Sequence, residues 1–207
     1  MTRLRDYERF LRAAALRTAQ LLKRAELARD VGISGSTAGE WISVLEASGQ
    51  VALLEPWFSN RTKVLVKTPK LYLSDTGLCA FLMGITGAHD LPGSPLVGAL
   101  WETLVFAEIR RRQVSRQGGW ALNFWRDRTR EADFLLHRGG RFDLVDAKWT
   151  ASPDARDAAL LERVAAELPR GHVDRQAILC RCENPYPLTS AVEARPLEGA
   201  AMFLAAA

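Results

Sequence analysis

Cysteine is scarce in this chain, with only Cys79, Cys180 and Cys182 among 207 residues. An odd count with no spaced pairs excludes a disulfide framework and is the usage expected of a reducing compartment. Cys180 and Cys182 flank one residue of an expected strand and would share a face. A metal site there would need two further ligands that the sequence does not offer, so the pair is read as structural. Histidine is equally sparse: His89, His137 and His172 show no metal-ligand spacing. No run approaches the roughly 20 apolar residues of a membrane span. The charged segment Met1 to Phe10 is unlike a signal peptide. A soluble, cytoplasmic protein without membrane partners is expected. The nucleotide-binding loop G-x-x-x-x-G-K-S/T is also missing, since the glycine- and serine-rich stretch Gly32 to Gly39 has no lysine. This chain is therefore not expected to hydrolyse ATP by itself.

What is present is an ordinary globular balance, with 48% hydrophobic and 25% charged residues. That composition supports a packed core without metal or disulfide staples. The net charge of +4 and pI of about 9.2 permit a nucleic-acid partner without requiring one.

The hydrophobic pattern divides the chain at a turn-rich stretch, Ala88 to Pro95, giving residues 1–88 and 89–207. In the first part, Tyr7 to Leu22 has helical spacing and Arg24 to Asp30 is a short helix broken by Gly32. A third helix is capped by Ser34 or Ser36 and ends at Gly49. Two β-type runs follow, Val51 to Phe58 and Lys63 to Leu73, with Ser59 to Arg61 as their turn. The order resembles a winged helix-turn-helix. Its presumed recognition helix, Ser34 to Ser48, holds Glu40 and Glu46 but no lysine or arginine, which is poor for phosphate contact. The hairpin is better supplied, and Arg61, Lys63, Lys67 and Lys70 are the candidate nucleic-acid contacts. Thr76 to Gly84 adds a short helix.

The second part reads as helix (Pro95 to Gln113, with Ser94 as cap), three strands (Ala121 to Arg126, Glu131 to His137, Arg141 to Trp149), helix (Asp154 to Leu168) and strand (Arg175 to Cys182). This α-β-β-β-α-β order is of the α/β class. Gly139-Gly140 signals a two-residue hairpin turn. That turn sets Arg138 against Arg141, Asp133 against Asp146 and Glu131 against Lys148. Period-two alternation then puts Glu131, Asp133, Asp146 and Lys148 on one face, with Ala132, Phe134, Val145 and Ala147 on the other. Two ionised carboxylates about 5 Å apart repel by about 3 kcal/mol at an effective dielectric of about 20. A divalent cation would relieve this. Mg²⁺, or Mn²⁺ in its place, fits an oxygen-only site completed by a substrate phosphate. Lys148 is suited to orient water or to neutralise charge on a phosphate. Glu102 lies on a helical stripe of small and apolar neighbours and needs a partner inside the fold. The loop from Arg126 to Arg130 makes Arg126 and Arg128 candidate phosphate contacts. Trp101, Trp120 and Trp125 are read as core. Trp149 follows the active strand where a substrate edge would pass, but core packing is the simpler reading.

Several segments together resemble a known family. They are Trp101-Glu102-Thr103-Leu104-Val105-Phe106-Ala107-Glu108, Phe124-Trp125-Arg126-Asp127, Glu131-Ala132-Asp133-Phe134 and Asp146-Ala147-Lys148, preceded by Asn60 to Lys63 and Thr68 to Leu78. They resemble the C-terminal half of a bacterial and archaeal group of AAA-type ATPases, whose final domain is similar to the restriction-endonuclease-like, PD-(D/E)xK, superfamily. The resemblance implies an α/β (α+β) chain, a winged helix followed by a nuclease-like core. It matches Glu102 to the acidic residue of the first core helix, Asp133 to the aspartate of the second strand, and Asp146 and Lys148 to the (D/E)xK pair. In that role Glu102, Asp133 and Asp146 bind metal and Lys148 serves catalysis. Ala132 replaces the usual proline, and Asp146 is one methylene shorter than the commoner glutamate. The family normally begins with an ATPase module, so such a module is implied to act in trans or to have been removed. Folds of this kind often pair, so a homodimer is compatible with the reading. The expected function is a Mg²⁺-dependent, DNA-binding nuclease-like protein. The alternative is a catalytically inactive nucleic-acid-binding or protein-docking module of an ATPase system.

Overall fold

The computed structural model describes residues 2–58, 68–115, 119–169 and 172–204. They form a mixed α+β structure with six α-helices and two sheets among the described residues. The chain divides into two compact units, Met1–Leu54 with Thr68–Thr103, and Glu55–Lys67 with Leu104–Ala207.

The first unit opens with α1 (Thr2–Ala15), β1 (Gln20–Leu21), α2 (Arg24–Val31) and α3 (Gly35–Ala47). Gly32 ends α2 with φ 82°, a left-handed conformation that favours glycine. Ser34 caps α3, its Oγ accepting from the Thr37 N–H at 3.1 Å. Strands β2 (Val51–Leu54) and β3 (Lys70–Leu73) follow, then α4 (Thr76–Leu82), capped by Asp75. The antiparallel sheet runs β1-β3-β2, with Leu21 opposite Lys70 and Leu53 opposite Leu71. Phe10, Leu27, Ile42, Leu45, Val51 and Leu73 fill the core between helices and sheet. Each fully buried side chain of this size contributes about 2 kcal/mol. Tyr7 and Phe10 both meet Trp41 edge-on, at 5.2 and 5.1 Å.

Helix α5 (Val97–Ser115) follows. Its residues through Thr103 group with the first unit and the remainder with the second. The second unit continues with β4 (Ala121–Arg126), β5 (Glu131–Arg138), β6 (Arg141–Ala147), α6 (Ala155–Glu167), β7 (Val173–Leu179), β8 (Tyr186–Pro187) and β9 (Val192–Arg195). The sheet order is β4-β5-β6-β7-β9-β8. β6 and β7 are parallel, which requires the crossover that α6 supplies. Trp125, Leu135, Phe142, Leu144, Leu161, Val164 and Ile178 pack in one cluster. Phe134 stacks with Phe106 of α5 at 6.3 Å. Strands β1, β8 and β9 were not expected from the sequence. Near the end of the chain a 3-10 turn, Leu197–Leu204, includes the buried Ala200. The turn of the first hairpin lies outside the described residues. Among the described residues no helix is long and apolar enough to cross a membrane.

Candidate functional site

The hairpin of β5 and β6 turns on Gly139 (φ 57°) and Gly140 (φ 82°), the two positive φ values that a tight two-residue turn requires. Its register is the expected one: Arg138 opposes Arg141, His137 opposes Phe142, and Phe134 opposes Val145. On the other side of β5 the register slips. Asn123 opposes Leu135, but Trp125 opposes Ala132, so Asp133 and Phe134 together face Phe124. One extra residue in β5 is a β-bulge, which shifts the alternation of side chains and re-aims the residues within it.

The bulge corrects the strict alternation expected for this hairpin. Ala132 belongs to the same buried cluster as Leu135 and Leu144, rather than sharing the face of Phe134. Glu131, expected opposite Lys148, is paired with Arg126 of β4, whose guanidinium donates to Glu131 Oε2 at 2.8 Å. Asp133 is turned toward β6. Its Oδ2 accepts from the Ala147 N–H at 3.0 Å, taking the place of a main-chain acceptor where the bulge interrupts the ladder.

Asp133, Asp146 and Lys148 are thereby brought together. Asp133 and Asp146 are 8% and 2% exposed. Lys148 Nζ stands 2.7 Å from Asp146 Oδ2, an ion-pair distance. That oxygen nevertheless has no properly directed hydrogen bond and is buried from solvent. Burial, then the neighbouring charge of Asp133, pushes the Asp146 carboxyl well above the usual carboxylate range, with Lys148 pulling the other way. For Lys148, burial disfavours the ammonium, but Asp146 and Asp133 outweigh it and raise its pKa. The Lys148 N–H donates to Leu179 O of β7 at 3.0 Å, which fixes the lysine backbone at the end of β6. Two adjoining carboxylates with a lysine can hold a cation and neutralise an oxyanion. A separate cavity of about 420 Å³, lined by Arg175, Gln176, Thr189, Ser190, Glu193 and Arg195, includes none of the three.

Glu102 is committed elsewhere. Its Oε1 accepts from Lys70 Nζ at 2.8 Å and from the Tyr72 hydroxyl at 2.5 Å. Lys70 and Tyr72 are fully buried in β3, so this is a buried ion pair reinforced by a phenol. The expectation that Glu102 needs an internal partner is met by Lys70 and Tyr72. Its assignment to a metal set is not reproduced: among the described residues no group of three or more His, Cys, Asp or Glu side chains is placed to hold a metal ion. Lys70 is corrected as well. Expected on an exposed wing as a phosphate contact, it is 1% exposed and neutralised by Glu102. Its sequence neighbours gave no sign of this, because the partner lies 32 residues further on.

Of the other candidate contacts, Arg61, Lys63 and Lys67 lie outside the described residues. Arg126 is shared with Glu131, while Arg128 is exposed at the tip of a turn held by Asp127. His137 bonds Asn123 through Nε2 at 3.0 Å, and burial lowers its pKa. Trp101 and Trp125 are buried, as expected of core residues. No local sequence signal marks Arg181, whose guanidinium carbon lies 4.1 Å from the Trp149 ring centre.

Residues 2–89 match one family model, a domain of unknown function (DUF8612), and residues 97–199 match another (DUF4143). Two uncharacterized proteins, one from Mycobacterium tuberculosis and one from Mycobacterium bovis, are each 31% identical over 180 residues. The match covers 86% of this chain but only 39% of the length of each relative. No solved structure matches the chain significantly. The chain therefore carries, in tandem, two domains whose function is unknown.

Proposed function

We propose that this chain is a divalent-metal-dependent, nuclease-like protein that acts on nucleic-acid phosphodiesters. The observation that carries the reading is Asp146 Oδ2, a buried carboxylate oxygen without a directed hydrogen bond, beside the second carboxylate of Asp133 and 2.7 Å from Lys148. A structural ion pair of Asp146 with Lys148 would not need the second buried carboxylate of Asp133 beside it. The donor set fits Mg²⁺ or Mn²⁺, which take oxygen ligands and are often held by one or two carboxylates with water and phosphate. When bound, such an ion polarises a phosphoryl oxygen and lowers the pKa of water. Asp133 and Asp146 hold the ion. Asp133 is oriented by the Ala147 N–H, and the Lys148 ammonium stabilises the negative charge that grows on the phosphoryl oxygens. Glu102 has no part in this proposal.

Further support comes from topology. The order α5-β4-β5-β6-α6-β7, with antiparallel β4-β5-β6 and a parallel β7, agrees with a restriction-endonuclease-like core. The order α1-β1-α2-α3-β2-β3, with the sheet β1-β3-β2, agrees with a winged helix. Cleavage of linear, branched and supercoiled DNA with Mg²⁺ or Mn²⁺ tests the reading. The parent is expected to cleave, and Asp133→Asn, Asp146→Asn and Lys148→Ala to lose activity by at least about a hundredfold. Equal cleavage by all four proteins, or none by the parent, overturns it.

One observation favours a second role, docking of protein rather than DNA by the first unit. The exposed face of α3 carries Glu40, Val44 and Glu46 with no lysine or arginine, and Val44 is 59% exposed. The resemblance above makes an ATPase module the natural partner. Reversing charge with Glu40→Lys and Glu46→Lys is expected to abolish capture of such a module and to leave DNA affinity no weaker. Weaker DNA binding by that variant would refute the docking role.

A further inference from the structure

The strand pair that carries the carboxylate cluster continues past it. Ala147 pairs with Leu179 in parallel, and beyond them the Arg181 N–H donates to Thr150 O at 2.9 Å. The regular pairing ends there, since the Arg181 N–H reaches Thr150 O rather than Lys148 O, but the Arg181 guanidinium carbon lies 4.1 Å from the centre of the Trp149 indole. Trp149 is half-buried and Arg181 exposed. The stacked pair therefore sits at the C-terminal edge of β6 and β7, directly after Lys148. Ligands of open α/β sheets bind at such an edge.

The charge of Arg181 is also unspent. Many arginines of this unit face a carboxylate: Arg126 with Glu131, Arg130 with Asp127 and Glu167, Arg141 with Asp174, Arg156 with Asp154, and Arg195 with Glu193. Arg181 has no carboxylate partner among the described residues. Stacking on an aromatic ring holds a guanidinium plane in place yet leaves its forked N–H donors open. Those donors match two oxygens of one phosphate. A flexible arginine would lose side-chain entropy on binding, and much of that loss is already taken by the indole platform.

We propose that Arg181, stacked on Trp149, binds a backbone phosphate of the nucleic-acid strand that the Asp133, Asp146 and Lys148 cluster acts on. This rests on the phosphodiester reading above and adds the group that positions the strand. Two measurements on the full chain separate the two claims. The first is affinity for labelled single-stranded and duplex DNA in EDTA, where no cleavage occurs, as a function of salt. Arg181→Ala is expected to bind at least about tenfold more weakly, with a salt slope lower by about one, the signature of one lost phosphate contact. Arg181→Lys keeps the charge without the fork, so the slope stays and only part of the affinity is lost. The second is hydrolysis of bis(p-nitrophenyl) phosphate with Mn²⁺, a diester that carries no neighbouring backbone phosphate for Arg181 to hold. It is expected to survive in Arg181→Ala and vanish in Asp146→Asn. Affinity and slope unchanged in Arg181→Ala, or a parent that does not bind DNA, overturn the proposal. So does loss of small-diester hydrolysis in Arg181→Ala, which would place Arg181 within the cluster itself. Absent hydrolysis in the parent, with weakened DNA binding in Arg181→Ala, sinks only the nuclease reading and supports the contact.

Discussion

Single residues hold most of what is unusual here, and each has a partner that local sequence does not announce. Asp143 is 2% exposed, its Oδ1 has no hydrogen bond, and burial pushes its pKa from 3.8 to about 6 against the pull of Arg175. A folded-state pKa above the unfolded value means that the folded protein favours the protonated acid. Below pH 3.8 Asp143 therefore carries no penalty. As pH rises toward 6 a cost of about 3 kcal/mol develops, and it stays constant above that. Asp143→Asn is expected to stabilise the protein by up to that amount at pH 7.5 and by little at pH 4, read from urea unfolding. The same gain at both values would show that ionisation is not the cause. Lys70 gives the opposite case. Lys70→Met would leave Glu102 buried without its counter-ion and is expected to cost about 3 to 5 kcal/mol. Adding Glu102→Leu should recover much of the loss, whereas two additive losses would argue against the pair. The pairing was half legible. The apolar stripe around Glu102 demanded a partner, but nothing near Lys70 marked it as that partner.

At the scale of elements, what was legible had a local cause. Ser34 and Gly32 are side-chain and backbone signals that act within one turn, and α2 and α3 begin and end where these residues require. Ser34→Ala removes the oxygen that accepts from Thr37 and is expected to destabilise the first unit by about 1 kcal/mol, measured by thermal or denaturant unfolding. A glycine at the same position should cost less, since glycine tolerates the cap backbone. Gly139-Gly140 likewise fixes the hairpin register, because positive φ at both residues leaves few other turns. What was not legible depends on partners distant in sequence. No glycine marks the bulge at Asp133 and Phe134. It exists because β5 must satisfy β4 and β6 at once, and it alters which residues share a face. Two-residue strands such as β1 and β8 carry too few side chains to show any period, and are held by the edges they join.

At the scale of the whole molecule, hydrophobic period and one turn marked the order from α5 to β7 of the second unit and placed Asp133, Asp146 and Lys148 near one another, while β8, β9 and the bulge escaped them. The mild excess of basic residues permitted a nucleic-acid partner without requiring one, and in the fold Lys70 is buried and many of the arginines are neutralised by carboxylates that only folding brings near. At Asp133 and Asp146 two buried carboxylates share one nearby lysine, Lys148, and this crowding ties the stability of the protein to the proposed occupancy of the site. In EDTA the parent carries the desolvation of Asp146 and its repulsion from Asp133, so Asp146→Asn is expected to melt at a higher temperature than the parent. On the proposed metal binding, the parent in Mg²⁺ at about a hundred times its dissociation constant is expected to gain about 2.7 kcal/mol, a rise of roughly 10 °C for a unit of about a hundred residues. The variant has lost a ligand and should respond little. The order of the two melting temperatures is then expected to reverse between EDTA and saturating Mg²⁺. A variant that is merely misfolded would melt below the parent in both conditions. A variant more stable in both would mean that Asp146 is a buried charge with no metal to hold.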